Sequence, residues 1–169
     1  MKLELDTNLC KKYPKIFTDR YASTTCWGFE HNDGWYNIID MMCANIQSHI
    51  DWTRTRRLQA LRFNRALNRA CSGDYSSYKR LSWSEQCDID EERSMPEAQL
   101  KHVPEACLQV VAIRVKKRFG TLTFYYYGGD DVIAGIVMMA EAMSSVTCEV
   151  CGDSGEISST ALCKNHQTS

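Results

Sequence analysis

The chain has the sequence LQVVAIRVKKRFGTLTFYYY over residues 108–127. In the first half of this stretch Val111, Ile113 and Val115 alternate with other residues, and β-branched and aromatic residues dominate the second half. Alternation with a period of two and this composition are typical of β-strands. The Arg118–Gly120 segment between the halves favours a turn, so the stretch predicts a β-hairpin.

Two amphipathic helices are predicted beside the hairpin. From residue 35 to about residue 50, apolar residues recur every three or four positions, which places them on one face of a helix. After the hairpin, the GGDD run of residues 128–131 ends the second strand, and either aspartate is suited to cap a helix that continues to about Ser145. The apolar faces are Trp35, Ile38, Ile39, Met42, Ile46 and Ile50 in the first helix, and Val132, Ile133, Ile136, Val137, Ala140 and Met143 in the second. The sequence thus predicts an α+β fold in which both helices pack on the hairpin.

The middle of the chain, residues 51–105, differs in charge from the rest. Up to residue 80 it contains seven arginines and one lysine against two acidic residues, whereas residues 81–105 contain seven acidic residues against one arginine and one lysine. A helix is predicted over 54–70, followed by a polar loop with one short helix. We interpret this middle segment as a charged, helical elaboration of an α+β domain that spans residues 1–147, and residues 1–33 as an irregular lead-in.

The last part of the chain carries a metal-binding motif. It reads CEVCG from Cys148 and CKNH from Cys163. Two close pairs of ligands separated by a short loop let four donors meet in a tetrahedron, the arrangement that zinc favours. Glycine directly after the second cysteine is typical of a zinc knuckle, because it allows a tight backbone turn. One zinc ion is therefore predicted in a knuckle or small ribbon over residues 148–169, bound by Cys148, Cys151, Cys163 and His166.

The predicted zinc is structural, because four protein ligands leave no open position for water or substrate. Two other interpretations of the motif stay open. One is an iron–sulfur cluster, for which a histidine ligand is unusual, and the other is a set of unpaired buried cysteines beside an exposed histidine. The remaining cysteines lack the spacing of metal ligands, and among them Cys71, Cys87 and Cys107 are interpreted as small buried thiols.

A stripe of arginines follows the predicted helix 54–70. At roughly 100° per residue, its members fall within about an 80° arc of the helix surface. They are Arg54, Arg62, Arg65 and Arg69. The stripe is suited to bind phosphates or an acidic partner and is the predicted partner-binding surface. The alternatives are a solvated surface, or a stripe that the acidic segment 85–92 neutralises within the same fold.

The composition and the motifs of the chain limit the classes of protein to which it is expected to belong. The chain has 169 residues, 24% of them charged, and a formal net charge of −1, which gives no global attraction to nucleic acid or anionic membrane. No apolar stretch reaches the roughly 18–20 residues of a membrane span, and the N-terminus lacks a secretory signal, so a cytoplasmic location is expected. Nine cysteines in a reducing compartment favour metal binding over disulfides. No metalloprotease, nucleophile-elbow or Cys–His–Asn signature is recognisable, so the sequence favours a protein that is not an enzyme.

Several short motifs resemble, in order, a family of small zinc-binding proteins that tailed bacteriophages and prophages encode. The run VKKRFGTLTFY from Val115 to Tyr125 is similar to the family's K-x-K-F-G-x-L-R-F-Y stretch. The similarity continues with Gly129-Asp130, Ala140-Glu141, Ser144-Ser145 and the CEVCG motif, and the family's first third is similar to Tyr13–Phe17 and Asp33–Trp35. The resemblance covers about residues 13–50 and 108–166, and the charged middle segment departs from it.

The resemblance implies a phage gene product that acts in the cytoplasm of a bacterial host, and it implies no reaction. Small accessory phage proteins often modulate a host enzyme or counter a defence system, so we predict that this chain binds and modulates a host macromolecule. A host protein is the favoured partner. The alternative is a nucleic acid bound by the basic helix 54–70 and the zinc module. No membrane partner is expected, and the sequence does not indicate the oligomeric state.

Overall fold

The computed structural model of the chain describes residues 1–20, 28–94, 99–157 and 160–167. Within these residues the helices are α1 (Leu3–Lys12), α2 (Tyr36–Cys71), α3 (Trp83–Ser94) and α4 (Asp131–Ser144). The strands are β1 (Leu108–Arg118), β2 (Thr121–Gly129), β3 (Glu156–Ile157) and β4 (Ala161–Leu162). The fold is α+β, as the sequence predicts. None of the described helices combines the length and the apolar character that a membrane crossing requires.

The predicted hairpin is confirmed. Strands β1 and β2 pair antiparallel, from Leu108 opposite Gly129 to Arg118 opposite Thr121. The connection uses Phe119, whose φ of 50° lies in the left-handed region, followed by Gly120 at 83°. A glycine here avoids the steric cost that a side chain would meet at positive φ.

The chain divides into two compact units, one formed by residues 1–50 with 107–169 and the other by residues 51–106. In the first unit, the hairpin shares one core with α1, α4 and the first part of α2. This core includes Leu9, Trp35, Ile39, Ile46, Val115, Leu122, Phe124, Ile133 and Val137. Trp35 and Leu122 are fully buried. Ile113, which the period of two groups with Val111 and Val115, is instead 52% exposed, because the strand pairing shifts register between Ala112 and Arg114.

The second unit has a smaller core. The later part of α2 contributes Phe63, Ala66, Leu67 and Ala70, and α3 contributes Ile89. Helix α3 begins with a reciprocal cap in which the Glu85 carboxylate accepts hydrogen bonds from the Ser82 amide (2.9 Å) and hydroxyl (2.7 Å). This capping box satisfies donors at the helix start.

Helix α2 differs from its prediction. The sequence predicts separate helices over 35–50 and 54–70, but one helix runs without interruption from Tyr36 to Cys71. The apolar pattern changes near Asp51, and this change favours the end of a helix there. However, no glycine or proline lies between Tyr36 and Cys71, so nothing in the backbone stops the helix until Gly73, whose φ is 83°.

The prediction of an irregular lead-in over residues 1–33 is also wrong in part, because α1 occupies Leu3–Lys12. This helix buries only Leu9 and Cys10 among its apolar residues, together with Asp6. Two apolar residues are too few to give a visible helical period. The buried Asp6 carboxylate pairs with the buried Arg20 guanidinium, a contact that the sequence pattern could not reveal.

The second predicted helix is confirmed as α4, and its cap is Asp130, whose side chain accepts a hydrogen bond from the Ile133 amide at 3.1 Å. Its predicted apolar face is only partly buried. Ile133, Val137 and Ala140 lie in the core, whereas Val132 and Met143 are 53% and 44% exposed. The contact between α4 and β2 therefore buries one edge of the apolar face and leaves the other edge exposed.

Candidate functional site

The C-terminal segment folds as a short ribbon between two pairs of metal-ligand candidates. The bridge between Thr147 and Ser154 precedes the ribbon, which β3 and β4 form by pairing antiparallel. The Cys148 amide donates to the Asp153 carbonyl at 2.7 Å, and the Gly152 amide donates to the Cys148 carbonyl at 2.9 Å. Gly152 has a φ of 84°, so the tight turn that the motif predicts depends on glycine at this position.

The four predicted ligands come together. One donor atom from each of Cys148, Cys151, Cys163 and His166 lies within 4.8 Å of the other three. The Cys151 and Cys163 sulfurs are 3.7 Å apart, and His166 Nδ1 lies 3.5 Å from the Cys148 sulfur and 3.1 Å from the Cys163 sulfur. Bond lengths of about 2.0–2.3 Å place the donors of a tetrahedral zinc site about 3.5–3.8 Å apart. The arrangement is therefore compatible with one metal ion.

The backbone already favours a thiolate at this cluster. Burial opposes ionisation of Cys148, but hydrogen bonds from the Cys151, Cys163 and Val150 amides outweigh it and lower the pKa of the Cys148 thiol to about 6. The Asp153 amide favours the Cys151 thiolate, yet burial and side-chain hydrogen bonds to Cys148 and other neighbours raise the pKa of Cys151. The lowered pKa of Cys148 favours the thiolate, which is the form that binds a metal cation.

Contacts with residues 32–35 and with β1 fix the metal segment in the first unit. The Gly34 amide donates to the Glu149 carbonyl at 2.8 Å, and Trp35 Nε1 donates to the Thr147 carbonyl at 2.9 Å. Glu149, which is 2% exposed, accepts hydrogen bonds from the Asn32 amide at 3.0 Å and from Lys117 Nζ at 2.8 Å. Glu149 thus positions the metal segment, a role that the sequence does not indicate, because a glutamate between two cysteines carries no sign of burial.

Replacing Glu149 with glutamine is expected to destabilise the first unit by about 2 kcal/mol, since one amide oxygen cannot accept from both Asn32 and the Lys117 ammonium, and the new amide nitrogen would be buried facing a donor. Chemical denaturation measures the change in the free energy of unfolding. Glu156→Gln removes the same charge at an exposed site of the same segment and should change stability by less than about 0.5 kcal/mol. Equal effects from the two variants would show that the buried contacts do not matter.

The predicted arginines are all exposed, and they differ in their surroundings. Arg69 donates to the Ser77 hydroxyl at 2.8 Å in the turn that follows α2. Arg62 and Arg65 instead line a cavity of about 430 Å³ in the second unit, and Arg54 is not part of its lining. The cavity is lined by Arg62, Arg65, Ser77, Arg80, Leu81 and Glu85. Arg80 was not predicted, because its place depends on the 3-10 helix at Tyr78–Arg80, which follows the turn after α2.

The acidic segment does not neutralise these arginines by direct contact. Asp88 pairs with Lys101 at 3.2 Å, and Asp90 accepts a hydrogen bond from the Tyr78 hydroxyl. Glu85 faces the cavity but is engaged in the capping box, and the Ser82 hydrogen bonds lower the pKa of its carboxyl. Within the described part of the chain, no hydrogen bond or ion pair engages the guanidinium groups of the three arginines that line the cavity.

The interpretation of the other cysteines as small buried thiols is confirmed for Cys10 and Cys43 and is wrong for three others. Cys71 and Cys87 are exposed, and Cys107 is half-buried. Cys71 ends α2 and Cys87 lies on α3, where the small core of the second unit leaves most helix positions outside.

No family model matches the chain, and neither the curated proteins nor the solved structures show a match to it.

Proposed function

We propose that this chain is a zinc-stabilised accessory protein of tailed bacteriophages or prophages, and that it binds and modulates a host macromolecule in the bacterial cytoplasm. The phage origin follows from the motif resemblance. The role of the metal follows from its ligands: three sulfurs and one nitrogen favour zinc, and a full set of four protein donors favours a structural knuckle over a catalytic ion. The proposal does not require a reaction.

The observation that carries the binding function is the cavity with three arginines. A guanidinium group without an ion pair presents a planar fork of donors to carboxylates and phosphates. Arg62, Arg65 and Arg80 place three such groups around one cavity, and Glu85, the acidic residue of its lining, hydrogen-bonds Ser82 and also interacts electrostatically with Arg62. The cavity therefore suits an anionic group on a partner.

A host protein fits this surface better than a nucleic acid. Basic and acidic residues are nearly equal in number over residues 51–106, and α3 presents several exposed acids close in sequence to the cavity residue Glu85. A polyanion would be repelled by such acids, whereas a protein surface can present both signs in a complementary pattern. Nucleic-acid binding through the same arginines and the zinc module is the second candidate, since phosphates also match the three guanidinium groups.

Reversing two charges of the cavity, Arg62→Glu with Arg65→Glu, is expected to weaken partner binding at least about tenfold, which corresponds to about 1.4 kcal/mol. The tagged chain would be recovered from a bacterial lysate with and without nuclease, and the retained proteins quantified by mass spectrometry. Arg54→Glu with Lys79→Glu makes the same change in charge at exposed positions of the same unit that do not line the cavity, and should leave binding unchanged.

The outcomes separate the two candidates. A stoichiometric host protein that is retained after nuclease, and lost only with the cavity variant, supports the modulator function. Nucleic acid that is lost with nuclease, and whose binding falls steeply as salt rises, moves the assignment to the second candidate. Equal retention by the cavity variant and its control excludes the cavity as the binding surface.

A further inference from the structure

A second group of metal-ligating side chains lies in the first unit, away from the C-terminal cluster in sequence. His49 belongs to α2, Cys107 directly precedes β1, and Asp130 directly follows β2. One donor atom from each of these three residues lies within 4.8 Å of the other two. Their positions in the sequence, far apart and without a motif, explain why the sequence analysis did not connect them.

The topology of the hairpin creates this juxtaposition. Leu108 and Gly129 are opposite each other at the open end of the β1–β2 ladder, so the residues just outside that pair, Cys107 and Asp130, emerge side by side. Helix α2 passes the same end, where Gln109 Nε2 donates to the Gln47 side chain at 3.1 Å. His49, two residues further along α2, thereby reaches Asp130, with 2.8 Å between Nε2 and Oδ2.

A second hydrogen bond fixes the orientation of the Asp130 carboxylate. Asp130 Oδ1 accepts the capping hydrogen bond from the Ile133 amide at 3.1 Å, while Oδ2 faces His49. Outer hydrogen bonds of this kind orient the ligands of metal sites. Gly128 allows β2 to approach β1 closely at the same end of the hairpin, because a Cβ at this position would collide with the Gln109 carbonyl and lie 3.0 Å from its carbon.

We propose that His49, Cys107 and Asp130 form a second zinc site, which keeps its fourth position open for water or an external ligand. Imidazole nitrogen, thiolate and carboxylate oxygen are all zinc ligands, whereas magnesium and calcium prefer oxygen alone. Three protein ligands with one open position are typical of an accessible zinc, in contrast to the closed set of four at the C-terminus. The side chain of Asp130 is 37% exposed, so solvent reaches the open position.

Zinc binding at this site requires a small change in the distance between His49 and Asp130 and the deprotonation of Cys107. Donors of a tetrahedral zinc ion with nitrogen, oxygen and sulfur ligands lie about 3.3–3.8 Å apart, so His49 and Asp130 must separate slightly from their present hydrogen bond. The Cys107 thiol must lose its proton to the solvent, forming one sulfur–zinc bond. Burial, together with the hydrogen bond to Asp130, raises the pKa of this thiol to about 11.

The test counts metal ions in the full chain. Zinc content would be measured after equilibrium dialysis against zinc at low micromolar concentration, for the unmodified chain, Cys107→Ser and Asp130→Asn. We expect two zinc ions in the unmodified chain and one in each variant. Asparagine is a good helix cap, so Asp130→Asn removes the charge while it preserves the start of α4. Cys87→Ser removes an exposed thiol from the other unit and should retain both ions.

A cobalt titration of the unmodified chain makes the test independent of whether a variant folds. The first equivalent should produce the intense thiolate-to-cobalt absorption of a site with three sulfurs, and the second should add a weaker increment from the single sulfur of Cys107. The proposal is overturned if absorption stops growing after one equivalent, or if a folded Cys107→Ser or Asp130→Asn variant still binds two zinc ions. Both results would leave the proposed partner-binding function untouched, because the arginine cavity belongs to the other unit.

Discussion

The variant Cys163→Ser is expected to lose the metal ion of the C-terminal site and to unfold the segment from Cys148 to His166. Serine cannot supply a thiolate, and the three remaining ligands would leave the site open to water. Binding of a structural zinc ion contributes about 10–16 kcal/mol in small zinc domains at neutral pH. The loss of one ligand therefore removes an interaction much larger than any single packing contact in this segment.

The segment has little else to hold it together. Its buried apolar residues, among those described, are Cys148, Ala161 and Cys163, and two of these are themselves predicted metal ligands. A ribbon of two strands with two residues each is too short to be stable alone. Without the metal, the contacts of Glu149 and Trp35 with neighbouring elements are the main restraints that remain, and the segment should open locally.

Hydrogen exchange over residues 146–167, together with zinc content, measures this effect. Cys163→Ser should contain one zinc ion fewer than the unmodified chain, and the protection of amides such as those of Cys148 and Gly152 should be lost. His166→Cys is the matched control for ligand type, because a site with four cysteines also binds structural zinc. Unchanged zinc content and protection in Cys163→Ser would refute the assignment of the ligands.

The elements that the sequence predicted well are those whose signals are local. The hairpin follows from a period of two and a turn at Phe119-Gly120, and the start of α4 follows from Asp130 after two glycines. Each pair of predicted ligands follows from spacing, because its two members are only three residues apart, and the short β3–β4 ribbon brings the two pairs together. In each case the physical cause lies within a few neighbouring residues.

The missed features depend on contacts between distant parts of the chain. Helix α1 has few apolar residues, and its tertiary contacts include the pairing of Asp6 with Arg20. The arginine stripe, drawn from an ideal helix, could not include Arg80, which reaches the cavity only after the turn beyond α2. His49, Cys107 and Asp130 meet because three elements converge at one end of the hairpin, and no spacing in the sequence encodes that convergence.

Gly34→Ala is expected to destabilise the first unit by about 3 kcal/mol or more, because the new methyl group would meet backbone atoms that cannot move independently. A Cβ at this position would overlap the Cys148 carbonyl, and would lie 2.6 Å from the Gly152 nitrogen and 2.7 Å from the Glu149 carbonyl carbon. These atoms belong to the turn that carries two of the metal ligands. The substitution should therefore weaken metal binding as well as folding, although residue 34 binds no metal itself.

Gly135→Ala provides the opposite control in the same unit. A Cβ there would meet nothing within 4 Å, and alanine is favoured over glycine inside a helix by about 0.8–1 kcal/mol, so this variant should be more stable than the unmodified chain. Denaturant unfolding gives both changes, and competition with a zinc chelator gives the metal affinity. If Gly34→Ala unfolds like the unmodified chain and keeps its zinc affinity, the metal segment does not pack on residues 33–35. If Gly34→Ala loses both stability and zinc affinity while Gly135→Ala gains stability, the number of glycines is not the cause. The close approach of two backbone segments then holds the predicted metal ligands in place.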